Sequence, residues 1–270
     1  VRMPAVAGMF YPSDPVTLRA EVERFLASRH EPEPGPHLAL VSPHAGYPYS
    51  GAVAGAAWAR VRGQAPDLTV FLGPSHRVPF QGFALPESQI WETPLGQLAL
   101  DRDALRVMED APCVVWEEPH IDEHSIEVQL PFYQVALPKA GTVLPIVCGR
   151  CTPAEIAGMA EALAGLYRMR DARVLFVCST DLSHDFRYDE ACVMDARTAA
   201  ALADCDADRL AALFSSRQAE ACGMVGLQVV VRLARHLGRS GAEVTGLTNS
   251  GDVIGNRQSR IVGYLSAVIR

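Results

Sequence analysis

Three short segments of the chain are apolar in all positions but one, Thr69, and a polar loop follows each of them directly. Residues 38–41 lead into Ser-Pro-His, residues 68–72 into Gly-Pro-Ser-His, and residues 174–178 into Ser-Thr-Asp-Leu-Ser-His. Strands that are apolar on both faces are typical of a parallel sheet with helices on each side. We therefore predict an α/β fold, a single domain over residues 1–270 in which helices cover a central, mostly parallel sheet.

The segments between these strands have the spacing of helices. Asp14 can cap a first helix that runs to residue 29, and the prolines of residues 32–36 then predict a loop. Further strands are predicted at residues 142–147, 244–248 and 261–269, the last two as a closing pair joined by a turn. The other predicted helices span residues 51–61, 101–109, 125–136, 153–168, 189–204, 206–214 and 222–237.

The composition indicates a folded protein without a nucleic-acid surface. The 270 residues include 24 Lys and Arg against 31 Asp and Glu, a formal net charge of −7. Proteins that bind nucleic acid or a membrane surface typically carry basic patches. The negative net charge of this chain does not support either kind of binding. Every apolar run is shorter than the roughly 18 residues of a membrane span, and the first residues lack the apolar core of an export signal. The seven cysteines suggest reduced thiols, so we expect a cytoplasmic protein. We expect its partner to be a small molecule or a peptide.

Three histidines lie shortly beyond predicted strands. His44, His76 and His184 each follow an apolar strand by a few residues, and ligands of open α/β sheets bind at this carboxyl edge. A single histidine in such a loop would more often make an ordinary hydrogen bond. Because neutral imidazole is the commonest metal ligand, three histidines at one edge favour a metal site.

Cys222 is a candidate thiolate ligand. A helix is predicted to begin at this residue, and the dipole and free amide groups of a helix N-terminus lower the pKa of a cysteine placed there. The alternative is a buried, inert thiol. Cys148 and Cys151 have the CxxC spacing, but a second pair is missing from the sequence, so we interpret them as structural.

Two further groups could take part in proton transfer. Asp181 lies in the same loop as His184, close enough for the carboxylate to orient the imidazole. His124 could line the site, whereas the acidic residues Asp122 and Glu123 before it are explained by the dipole of a helix start. The chain has neither a GxSxG elbow nor a phosphate-binding glycine loop, which disfavours a serine hydrolase and a nucleotide-binding protein.

Several segments together resemble the Memo family. The similar motifs run in order along the chain: PAVAGMFYP at 4–12, SPHAGYPYSG at 42–51, GPSH at 73–76, DEHSIEVQLP at 122–131, STDLSHD at 179–185, Cys-Gly at 222–223 and SGD at 250–252. The Memo family is similar to the class III extradiol dioxygenases in fold and in the place of its site. The resemblance implies metal ligands at His44, His76 and Cys222, with Asp181 and His184 beside them.

This ligand set differs from that of the dioxygenases. Non-haem iron oxygenases use two histidines and one carboxylate, whereas the third position here is the softer thiolate of Cys222, which favours copper or zinc or alters the properties of iron. The resemblance implies a metal-binding, redox-active protein. We expect an iron or copper ion, with zinc as a further option, and an oxidoreductase or oxygen-handling activity in which His184, oriented by Asp181, is the acid or base.

Two other functions remain open. The protein could be a non-enzymatic binding module whose pocket takes a peptide or small ligand, with the metal absent or structural. It could also be a hydrolase with zinc-bound water, since three protein ligands leave the fourth position of a tetrahedral zinc ion to water.

Overall fold

The centre of the fold is a sheet of nine strands, in a computed structural model that describes residues 1–27 and 36–270. Two more strands in these residues form a separate pair. In chain order the strands are β1 Ala39–Ser42, β2 Leu68–Pro74, β3 Phe83–Leu85, β4 Ile90–Thr93, β5 Gly96–Ala99, β6 Cys113–Val115, β7 Thr142–Cys148, β8 Val174–Ser179, β9 His184–Phe186, β10 Ala242–Asn249 and β11 Ile261–Ile269.

Helices connect most of these strands. A 3₁₀ helix, Glu127–Gln129, lies between β6 and β7. The α-helices are α1 Pro15–Ala27, α2 Tyr47–Arg60, α3 Arg102–Glu109, α4 Glu118–Ile121, α5 Leu130–Ala136, α6 Pro153–Met169, α7 Tyr188–Ala203, α8 Ala207–Ser215, α9 Met224–His236 and α10 Ser250–Ile254.

Parallel strands form the middle of the large sheet. The order across it is β10, β11, β1, β8, β2, β7, β3 and β6, and β9 pairs with β11. The neighbours β1, β8, β2 and β7 are mutually parallel, whereas β11 is antiparallel to β1 and β3 is antiparallel to β7. This mixed sheet with helices around it confirms the predicted α/β class, and the carboxyl ends of its central strands share one edge.

Alternate residues of the central strands enter two apolar cores on opposite faces of the sheet. In β2, Val70 and Leu72 belong to the core that includes α6 and α9, while Phe71 belongs to the core that includes α1, α2 and α5. In β8, Phe176 and Val177 divide in the same way. Because both faces are covered, residues on both sides of these strands can be apolar, which is the pattern that the sequence shows at nearly every position.

Some helices begin elsewhere than the sequence predicts. α2 begins at Tyr47 instead of residue 51, with a proline in its first turn, where the missing N–H group costs nothing. Residues 125–136 are not one helix, because the 3₁₀ helix leads into α5 and Pro131 stands at the start of α5. α9 begins at Met224, so Cys222 precedes the helix.

Other features lie outside what the pattern could predict. Residue 29, the expected end of the first helix, and most of the expected loop at 32–36 lie outside the described residues. Strands β3, β4, β5, β6 and β9 contain three or four residues each, too few for a period to be recognised.

Among the described helices, none has the length and apolar character needed to cross a membrane.

Two glycines provide a matched test of this packing. A Cβ atom at Gly141 would lie 2.0 Å from the backbone carbonyl oxygen of Asp67, whereas a Cβ at Gly165 in α6 would meet open space. We expect Gly141→Ala to lower the free energy of unfolding by about 1–3 kcal/mol. Gly165→Ala should raise it by about 0.5–1 kcal/mol, because alanine is the better helix former. Denaturant unfolding measures both changes, and equal effects of the two substitutions would contradict the packing.

Candidate metal centre

Neighbouring strands bring chemically active residues to one edge of the sheet. His44 lies shortly beyond the end of β1, Asp181 beyond β8 and His76 beyond β2. Since β8 lies between β1 and β2, the three loops are adjacent at the edge where α/β sheets bind ligands.

The imidazoles of His44, His76 and His124 form one cluster. Each offers a ring nitrogen, and the three nitrogens lie within 4.8 Å of one another. The rings of His76 and His124 are stacked with centroids 4.7 Å apart, and the ring of His44 stands edge-on to both. His44 is buried, His124 is partly buried and His76 is exposed. Within the described residues, these side chains form a group that could hold a metal ion.

The hydrogen bonds of His44 determine which of its ring nitrogens carries the proton. Its Nδ1 lies 2.9 Å from the hydroxyl oxygen of Ser179. Ser179 donates its own proton to the carbonyl oxygen of Ser125, so it accepts from His44, and Nδ1 carries the ring proton. The lone pair is therefore on Nε2, the atom that a metal can bind.

Gln129 holds the Ser179 hydroxyl in turn. Its Nε2 donates to Ser179 Oγ and to the carbonyl oxygen of Pro43, each at 2.9 Å. Its Oε1 accepts from the indole N–H of Trp58 at 3.1 Å, and this donor-only group fixes the orientation of the amide. A buried chain of hydrogen bonds with assigned donors thus connects Trp58 to His44.

Glu123 orients His76 in a similar way. The buried carboxylate accepts the Nδ1–H of His76 at 2.8 Å, and it also accepts the backbone N–H groups of His76, His124 and Ser125. Burial acts to raise the pKa of Glu123, but the hydrogen bonds, led by that of the His76 side chain, lower the pKa to about 2. The ionised carboxylate keeps the proton on Nδ1 and leaves Nε2 of His76 available to a metal.

The N-terminal residues hold the loop that carries Glu123 and His124. Buried Arg2 donates to the backbone carbonyl oxygens of His120 and Glu123 and forms an ion pair with Glu127. Buried charges are tolerated when they are paired and hydrogen-bonded, as both are here. This cluster fixes the loop relative to the start of the chain.

His124 has a nitrogen without a hydrogen-bond partner. Its ring contacts that of Phe10, with centroids 4.7 Å apart. Its Nδ1 is buried and unpaired within the described residues, at 3.4 Å from the nearest carboxylate oxygen of Glu123. A buried, unpaired nitrogen is costly, and this one belongs to a histidine of the three-imidazole group, whose donor set fits a bound metal ion.

Burial keeps two of the imidazoles neutral. It lowers the pKa of His44 to about 3, with a further lowering from the charge of His76. It lowers the pKa of His124 to about 4, with a further lowering from His44. Metal ligands must be deprotonated, so these two histidines can bind a metal near neutral pH without first losing a proton.

Cys222 lies beside His44. Its Sγ is 3.3 Å from His44 Nε2 and accepts the backbone N–H of Asp181 at 3.2 Å. Gly223 permits this approach, because a Cβ atom there would lie 2.6 Å from the carbonyl oxygen of Ser179. Cys222 is not a member of the three-histidine group.

The low pKa expected for Cys222 is not found. Burial, followed by the negative charge of Asp181, raises the pKa of the thiol above its usual range. The helix-dipole argument fails because α9 begins after Cys222, with Gly223 as its N-cap. The thiol is therefore protonated at neutral pH in the metal-free protein, and a metal must displace that proton to bind the sulfur.

Asp181 and His184 make contacts different from those expected. The buried carboxylate of Asp181 accepts the backbone N–H of His44 at 2.8 Å, and burial raises its pKa. Nδ1 of the partly exposed His184 lies 3.9 Å from a carboxylate oxygen of Glu220. Asp181 thus positions the loop of His44, whereas the ring nitrogen of His184 faces the carboxylate of Glu220.

Sequence reasoning missed three residues that support the cluster. The acidic side chain of Glu123, between two histidines of the site, is a signal that could have been used. Ser179 and Gln129 carried no comparable signal, because Ser179 is separated from His44 by 135 positions and from Gln129 by 50.

The fold and the cluster define an α/β protein with a candidate three-histidine metal centre at the carboxyl edge of its sheet. The family model described as Memo-like protein matches residues 2–268 of the chain. The chain belongs to the Memo family.

Relatives match over nearly the whole length. A MEMO1 family protein of Sulfolobus acidocaldarius is 32% identical over 98% of both chains, and one of Methanosarcina barkeri is 32% identical over 100% of both. A solved structure, the uncharacterized protein JW3007 from Escherichia coli K12, is similar with a TM-score of 0.57 at 15% identity, covering 87% of this chain and 100% of the other. That last likeness shows the fold alone.

The contact between Glu123 and His76 can be tested by metal titration. We expect Glu123→Gln to weaken metal binding by about 10- to 100-fold, because a neutral amide no longer holds the Nδ1 proton of His76 with a full negative charge. Titration calorimetry with zinc measures the affinity. Asp122→Asn removes the same charge from the exposed neighbouring residue and should leave the affinity unchanged. Equal weakening in both variants would mean that only the net charge matters.

The lowered pKa of His124 predicts a pH dependence of stability. The unfolded chain binds a proton at this residue below about pH 6.5, whereas the folded protein does so only near pH 4. This contribution to stability is complete above pH 6.5 and is lost as the pH falls towards 4. In metal-free protein, His124→Gln should therefore reduce the slope of unfolding free energy against pH by up to about 1.4 kcal/mol per unit in that window. Denaturant unfolding in chelator provides the slopes, and parallel curves would contradict the assignment.

Proposed function

We propose that this Memo family protein binds one redox-active transition metal, iron or copper, through His44, His76 and His124. The observation that carries this proposal is the cluster of three ring nitrogens within 4.8 Å. The support from Ser179 and Glu123 strengthens it, because in His44 and His76 the proton is held on Nδ1 and Nε2 is unprotonated. The proposed activity is an oxidoreductase or oxygen-handling reaction on a small molecule.

Cys222 is proposed as an additional ligand, as the sequence pattern suggests. Its Sγ is 3.3 Å from Nε2 of His44, and two atoms bound to one metal at about 2.0–2.3 Å are roughly 3–3.5 Å apart. The thiol would lose its proton on binding, because a coordinating thiolate is stabilised by the charge of the metal.

The residues around the cluster have separate tasks. A metal held here would supply one-electron chemistry and open coordination positions for a substrate and oxygen. Asp181 positions His44 by accepting its backbone N–H. His184 is partly exposed, which suits a group that moves protons between the site and solvent.

Zinc-dependent hydrolysis is the second candidate. It is favoured by the all-nitrogen character of the three-histidine group, because catalytic zinc sites commonly combine three protein ligands with one water.

Metal analysis of ligand variants tests the proposal. We expect protein purified without oxygen and without a chelating tag to bind one equivalent of iron or copper. His76→Ala and His124→Ala should weaken binding more than about tenfold, since each removes one of the few ligands that a transition metal accepts. Cys222→Ser should keep one equivalent and lose the visible absorption band of a thiolate ligand in the copper(II) form. His236→Ala, on the exposed end of α9, is the control and should change neither quantity.

Oxygen uptake tests the activity. The iron(II)-loaded protein should consume dissolved oxygen faster than the same concentration of iron(II) with the His76→Ala variant.

Other outcomes would change the proposal. Retention of metal by His124→Ala and its loss from Cys222→Ser would make Cys222 the third ligand. Ester hydrolysis by the zinc form without oxygen uptake by the iron form would favour the second candidate. Failure of every metal to bind would favour a non-enzymatic binding module.

A further inference from the structure

A cavity of about 390 Å³ lies next to the candidate metal centre. Its walls come from the loop after β2, the loop after β7 and the start of α9, and they include Ser75 and Cys222. Ser75 immediately precedes His76, and the sulfur of Cys222 contacts His44. The volume lies within the range of about 300–1,000 Å³ that is typical of small-molecule sites.

One side of the cavity is apolar. The ring of Phe80 is held edge-on against Trp116, with centroids 5.7 Å apart. Met224 is 36% exposed although it is a large apolar residue, and it lines the cavity with Val78 and Val225. This wall can cover an apolar group of a ligand.

Arg150 is the charged residue among those that line the cavity. Its backbone is fixed by hydrogen bonds with Phe80 and Gly82. Its guanidinium forms no hydrogen bond or ion pair within the described residues, in a protein whose net charge is −7. The hydroxyl of Ser75 donates its proton to the carbonyl oxygen of Val78, so it offers no donor to a ligand. An anion in the cavity would therefore pair with Arg150.

We propose that this cavity binds the organic substrate of the metal centre and that this substrate is a small monocarboxylate with an apolar body. The carboxylate pairs with Arg150, and the apolar body lies against Phe80 and Met224, next to Cys222. A single guanidinium matches a carboxylate with two parallel hydrogen bonds, whereas a doubly charged phosphate ester usually attracts more than one cation. The role as substrate rests on the metal function proposed above, but carboxylate binding itself does not.

Binding of two matched probes tests the proposal. Phenylacetate and phenylacetamide have the same shape and differ in charge, and titration calorimetry on the metal-free and zinc-loaded protein gives their affinities. We expect phenylacetate to bind at least about tenfold more tightly than phenylacetamide, as for a charge-assisted hydrogen bond. Arg150→Gln should remove this difference, and Arg150→Lys should retain part of it.

Two further variants control for charge and place. Arg235→Gln removes the same charge at the other end of α9, about 16 Å along the helix from Met224, and should leave both affinities unchanged. Met224→Trp should fill the cavity and weaken both probes.

Each contrary outcome has a distinct meaning. Equal affinity for the two probes, or an unchanged difference in Arg150→Gln, overturns the proposal. So does failure of phenylacetate, phenylbutyrate and hexanoate to bind at millimolar concentration. Carboxylate binding in a protein that binds no metal would leave the cavity assignment standing and refute the metal function, whereas metal binding without carboxylate binding would do the reverse.

Discussion

The hydrogen bond between His44 and Ser179 is the contact on which the candidate metal centre depends. It exists because β1 and β8 pair in parallel with Ser42 opposite Ser179, so that the end of one strand faces the loop after the other. If the ring proton were on Nε2, the lone pair would point towards Ser179 and His44 could not bind a metal in the cluster. The register of two strands therefore determines which atom of a histidine is offered.

Two buried carboxylates beside the cluster have opposite electrostatic behaviour. Glu123 accepts an imidazole N–H of His76 as well as several backbone N–H groups, and its pKa is low. Asp181 accepts the backbone N–H groups of His44 and Ala45, and these hydrogen bonds lower its pKa less than burial raises it. The pKa of Asp181 is therefore raised. The ionised Glu123 therefore places negative charge close to neutral imidazoles, an arrangement that attracts a cation without the need for a carboxylate ligand.

The fold could be predicted because its signal is local. Val70, Phe71 and Leu72 are consecutive apolar residues, and that pattern alone indicates a strand covered on both faces. The positions of His44 and His76 follow from the strand ends. The raised pKa of Cys222 and the contacts of Gln129 could not be predicted, because they depend on which distant segments enclose each side chain. His124 was recognised as a residue near the site, but its stacking on His76 is a tertiary contact that no spacing in the sequence encodes.

The unequal exposure of the clustered histidines has a kinetic consequence. His44 is 1% exposed, whereas the side chain of His76 is 28% exposed. A hydrated ion that bound to this cluster would meet His76 first and would lose its remaining water before it reached His44. Uptake and release would then be ordered events, with the slow step at the buried imidazole. A chelator in solution would capture the ion after that step, at a rate set by the protein and not by the concentration of the chelator.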